Sequence, residues 1–134
     1  MKKLTSEQVE NLKKMGCNID ENNYTSDNIL LFGLNILNTA KPEEHYRCYY
    51  SQESKEDGNA TLDVIMFPKI NGNLLNQGSV VFRYGGKPLI ECLYVFVLWC
   101  YQEKDTPKTQ PLSSPDEVFT KFVEKFSSKE IPLT

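Results

Sequence analysis

The chain has one histidine, no cysteine pair at C-x-x-C spacing, and only two arginines, Arg47 and Arg83, among its 15 basic residues. A structural zinc site takes four Cys or His ligands, usually presented in close pairs, and His45 with Cys48 is half of such a site. No metal or cofactor is therefore expected, and Cys17, Cys48, Cys92 and Cys100 read as reduced, mostly buried thiols. A basic block is missing as well. Residues 1–40 hold four bases and five acids, 41–87 six and six, and 88–134 five and seven, for a net charge of −3. Duplex nucleic acid is held by clustered Lys and Arg that displace counterions, so nucleic acid is not an expected partner. The longest apolar run, 89–101, is too short to span a bilayer and holds Glu91 near its start, which excludes a membrane span. The opening residues carry no apolar run of the kind a secretory signal needs, so a cytoplasmic location is expected.

Catalytic signatures are also absent. The sequence holds no G-x-S-x-G, H-E-x-x-H, D-x-D-x-D-G or G-x-x-x-x-G-K-[ST]. Nothing marks the protein as an enzyme. A catalytic group around His45 and Cys48 stays open only because such groups assemble in space rather than in sequence.

What the sequence does hold is the material of one α+β domain over residues 1–134, long enough to bury about two-thirds of its unfolded surface. Thr5 and Gln8 are spaced as a capping box, Leu4 and Val9 as a hydrophobic staple, and Gly16 as a stop, which predicts a short helix over 6–15. Thr25 or Ser26 caps a second helix whose apolar stripe runs through Ile29, Phe32 and Ile36 until Pro42 ends it. Three strand-like runs follow at 45–51, 61–67 and 79–84, linked by turn residues that include Asp57-Gly58 and Asn71-Gly72. Short links between consecutive strands predict a three-stranded antiparallel meander. The run 89–101 is apolar on all sides and predicts a helix buried against the sheet, with a buried strand as the alternative. Ser114-Pro115-Asp116-Glu117 opens an amphipathic helix over 115–127. The order is α-α-β-β-β-α-α, as a single layer or a helix–sheet–helix sandwich.

Two features carry functional readings. The Gly85-Gly86-Lys87-Pro88 segment between a strand and a helix resembles an anion-binding turn, with backbone N–H groups and one Lys facing a small anionic ligand or nucleotide. The bland reading is that the glycines let the strand bend sharply into the helix. The second feature is the sheet itself. Strict alternation puts Tyr46, Cys48, Tyr50, Leu62, Val64, Met66, Val80, Phe82 and Tyr84 on a core face. The opposite face then collects His45, Arg47, Tyr49, Asp63, Ile65, Phe67, Val81 and Arg83. Asp63 is expected to pair across the sheet with Arg47 or Arg83.

A solvated face has no need of Ile65, Phe67 and Val81, so something should cover them: a helix of this chain, a second copy in a homodimer, or a foreign protein. Tyr and Arg around an apolar centre match the composition of binding hot spots, so Arg47, Tyr49, Ile65, Phe67, Val81 and Arg83 are the expected partner-binding residues. The expected function is a small acidic protein-binding module, such as an inhibitor, immunity or adaptor protein, acting by steric occlusion of a protein partner. The helix–meander–helix layout is similar to that of many small phage and mobile-element proteins, an analogy that carries no residue across.

Overall fold

The computed structural model describes residues 3–18, 24–53 and 58–111. The elements are α1 (Ser6–Lys14), α2 (Ser26–Ala40), β1 (Glu44–Gln52), β2 (Asn59–Ile70), β3 (Asn73–Leu74), β4 (Ser79–Pro88) and α3 (Leu89–Glu103). The helix expected over 115–127 lies outside the described residues.

Helix ends follow the local chemistry. The Gln8 N–H donates to Thr5 Oγ1 at 3.1 Å while Thr5 N–H donates to Gln8 Oε1 at 2.9 Å, closing the capping box. At the other end Cys17 N–H returns to the Leu12 carbonyl and Gly16 N–H to that of Lys13, both at 3.0 Å, a Schellman closure. Thr25 caps α2 through Oγ1, which accepts from Asn28 N–H. Pro88 precedes α3 as its extended N-terminal cap, and the helix begins at Leu89 as expected.

β1, β2 and β4 form the antiparallel meander, with β2 in the middle, and the two-residue β3 extends one end of β2 as a hairpin. Asn71 (φ 54°) and Gly72 (φ 80°) both adopt left-handed backbone there, the pair of angles a two-residue hairpin turn requires. α3 lies on β2 and β4, and α2 lies beside α3 on β1, so both helices cover the same face of the sheet. Phe96, Leu93, Val97, Leu37 and Ile29 from the helices meet Tyr46, Leu62, Val64 and Met66 from the strands in one core. Each such fully buried large side chain contributes about 1.5–3 kcal/mol of transfer free energy. The Phe82 and Trp99 rings stack at 4.8 Å between centroids. α1 joins this same side, with Leu12 in the core and Asn11 Nδ2 donating to Tyr94 Oη at 2.9 Å.

Strict alternation fails along β4. Val64 pairs with Phe82, but the next residue, Ile65, pairs with Val80, so Val81 is an extra residue between two ladder positions. Such a bulge resets the phase of the strand. Val81, expected on the outer face, is turned into the core at 3 % exposure, and Val80, expected in the core, stands across from Ile65 instead. A second bulge falls at Gly86, between the Thr61–Gly85 and Ala60–Lys87 pairs, where φ is +76°. Only glycine takes that angle without strain. Tyr50 also departs from expectation. Burial along β1 ends at Cys48, and Tyr49 to Gln52 are all exposed.

Candidate functional site

The sheet face turned away from α2 and α3 carries His45, Arg47 and Tyr49 from β1, Asp63, Ile65 and Phe67 from β2, and Val80 and Arg83 from β4. Cross-strand pairing sets these neighbours. Asp63 lies between Tyr49 on one side and Arg83 on the other, and the expected partnership resolves in favour of Arg83. Arg83 Nε donates to Asp63 Oδ1 at 2.7 Å and Nη2 to Oδ2 at 3.4 Å. The two side chains are 41 % and 32 % exposed, so water screens the pair and it positions more than it stabilises.

The other half of the face is built on Phe67. The Arg47 guanidinium carbon stands 5.3 Å from the centroid of its ring, within cation–π range. Gly78 backs the same ring, since a Cβ there would stand 2.8 Å from Phe67 Cε1 and 2.4 Å from Ile65 Cγ2. Ile65 and Phe67 are thereby half-buried by backbone and by Arg47, while Tyr49 stays 49 % exposed. His45, paired with Phe67, has its pKa lowered below 6.5 by partial burial and then by the charges of Arg47 and Lys69. Of the six residues expected to meet a partner, five share this face; Val81 does not.

The two other expected sites take a different shape. Gly85, Gly86 and Lys87 are not a turn at a helix start: all three lie within β4, and Gly85 and Lys87 are paired with β2. The Lys87 carbonyl instead accepts from Cys92 Sγ at 3.4 Å. His45 and Cys48 stand three residues apart on one strand, so their side chains leave opposite faces of the sheet. Burial, followed by the Asp63 charge, pushes the Cys48 thiol up to about 12. Burial likewise raises Cys92 to about 11 and Cys100 well above its ordinary value. None of these three is a thiolate at neutral pH. Among the described residues, no group of three or more His, Cys, Asp or Glu could hold a metal ion.

Sequence reading missed a polar clamp at the α2–β1 corner. Lys41, only 7 % exposed, donates from Nζ to the Thr106 carbonyl at 2.9 Å and to Thr106 Oγ1 at 2.7 Å. The Tyr46 hydroxyl meets Glu44 and, at 2.6 Å, the buried Thr109 hydroxyl. Burial and the Glu44 hydrogen bond raise the Tyr46 pKa. The clamp seats the segment after α3 on the start of β1. The Lys41–Thr106 and Tyr46–Thr109 partners stand more than sixty positions apart, and no spacing signals such a pair.

No helix among the described residues is long and apolar enough to cross a membrane. Comparison of the chain with protein-family models, with curated proteins and with solved structures finds no match in any of the three.

Proposed function

We propose that the protein acts by binding another protein through the outer sheet face and occluding the surface it covers. One observation supports this above all: Tyr49, the Arg47–Phe67 stack and the Asp63–Arg83 pair surround half-buried Ile65 and Val80 on a face that none of the described helices packs against. Rigid aromatic and arginine side chains around an apolar centre are what interface hot spots are made of. The charges on and beside this face are Arg47, Lys69, Glu53 at the far end of β1 and the internally compensated Asp63–Arg83 pair, a slight positive excess in a chain whose net charge is −3. Its best complement is an apolar protein surface with acidic groups placed opposite Arg47 and Lys69.

The test uses matched baits of the full chain: wild type, Tyr49→Ala and Arg47→Glu. A true partner is retained by wild type at a fixed stoichiometry and lost or greatly weakened with both variants, while their melting temperatures stay close to wild type. A protein retained equally by all three baits does not bind here. Its retention, with no other protein lost, would sink the reading.

A further inference from the structure

We propose that the free edge of β1 pairs with β1 of a second copy of this chain, antiparallel, about a two-fold axis at Tyr50. The inference does not depend on what the outer face binds.

Backbone direction alternates along a strand, and the ladder to β2 fixes which residues look which way. Glu43 accepts from Lys69 N–H, and Glu53 N–H donates to Asn59, so the odd-numbered residues of this stretch face β2. The even-numbered ones face the free edge. At Tyr46 that edge is closed by a side chain: Tyr46 N–H donates to Asn38 Oδ1 at 2.9 Å, and Asn38 Nδ2 reaches the Tyr46 carbonyl at 3.5 Å. The amide of Asn38 thus does there what a neighbouring strand would do. Among the described residues, the edge-facing backbone groups of Cys48, Tyr50 and Gln52 have no such partner.

This open stretch lacks the usual protections of a sheet edge. Residues 48–52 are Cys, Tyr, Tyr, Ser and Gln, with no lysine, proline, glycine or charge among them. β4, the other outer strand of the meander, is broken by two bulges. Tyr49 and Tyr50 are 49 % and 42 % exposed. Leu31, two turns before Asn38 on the same stripe of α2, is 62 % exposed. At helical and strand rises it lies about 10 Å back from Asn38, roughly level with Tyr49 and Tyr50.

Charge and the Asn38 cap select one register. Antiparallel pairing centred on Tyr50 sets Tyr50 against Tyr50, Cys48 against Gln52, and Arg47 against Glu53 of the other copy, at both ends of the contact. Arg47 and Glu53 are odd-numbered, so both side chains fall on the outer face, where an opposite-charge pair adds stability. A slip that brings Tyr46 into the ladder collides with its bonds to Asn38. The two-fold axis stands perpendicular to the sheet, so the meander continues as β4–β2–β1–β1–β2–β4 with α1, α2 and α3 of both copies on one side. The two outer faces then adjoin as one surface.

Sedimentation equilibrium of the full chain tests this. Wild type should dimerise. Arg47→Glu and Glu53→Arg should each weaken the dimer about tenfold, since each turns two cross-strand attractions into repulsions. The double variant should restore it. Tyr50→Pro, which removes an edge-facing donor and no bond to β2, should leave a monomer. A wild type that stays monomeric throughout the soluble range overturns the proposal. So does a dimer indifferent to the single charge reversals, or one the double variant fails to restore.

Discussion

The ring of Phe96 occupies the space a side chain on Gly33 would need: a Cβ built there stands 2.6 Å from Cε2. α2 and α3 therefore cross with backbone against ring, and Phe96, fully buried, has nowhere to retreat. Gly33→Ala should lower stability by about 1–3 kcal/mol through overpacking, against a helix-propensity gain of at most about 1 kcal/mol. Urea midpoints measure the loss. Phe96→Leu in the same chain should shrink the penalty, because the two sites share one volume.

Gly86 makes a contrasting case. Nothing lies within 4 Å of a Cβ placed there, yet φ is +76°. The expected cost of Gly86→Ala is about 1–2 kcal/mol, all of it backbone strain. Gly86→Asn should lose less than Gly86→Ala, since Asn tolerates the left-handed region. Equal losses in thermal melts would mean the strand shifts its bulge rather than straining.

The Asp63–Arg83 pair is partly exposed on both sides. A double-mutant cycle with Asp63→Asn and Arg83→Gln should give a coupling below about 1 kcal/mol. Raising the salt concentration should reduce it further.

His45 ties stability to pH. Its folded pKa lies below the ordinary 6.5, so the unfolded chain takes up the proton first as pH falls. Stability should drop as the pH is lowered through 6.5 and level off once folded His45 is protonated too. Urea midpoints collected across this range should flatten in His45→Gln relative to wild type.

Thr109→Val keeps the shape of a buried side chain but removes a partner of the Tyr46 hydroxyl. The clamp should weaken by about 1 kcal/mol. Limited proteolysis within residues 104–111 should speed up more than global unfolding does.

The local parts of this fold were legible because local chemistry decides them. Thr5, Gln8 and Thr25 announce their caps, and α3 was recognisable from a run apolar on all sides, though a buried strand stayed open as the alternative. Alternation also placed Arg47, Tyr49, Asp63, Ile65, Phe67 and Arg83 on one face correctly. It failed at Val80 and Val81, because a bulge is a two-against-one mismatch between strands and leaves no mark in either strand alone. Gly85 and Gly86 read as the end of a strand, whereas one of them is the residue that lets the strand bulge and continue. The Lys41–Thr106 and Tyr46–Thr109 contacts, like the Asn38 closure of the β1 edge, depend on tertiary placement that no sequence period encodes.

The four cysteines have a practical consequence. Cys17, Cys92 and Cys100 are buried and Cys48 is half-covered, and three of the four are held protonated by that burial. A thiol in this condition reacts with an alkylating reagent chiefly when its surroundings part. The intact molecule therefore carries its own stopwatches for local opening. Cys92 times the junction of β4 with α3, where its sulfur bridges to Ala60 and Lys87, and Cys100 times the helical layer itself.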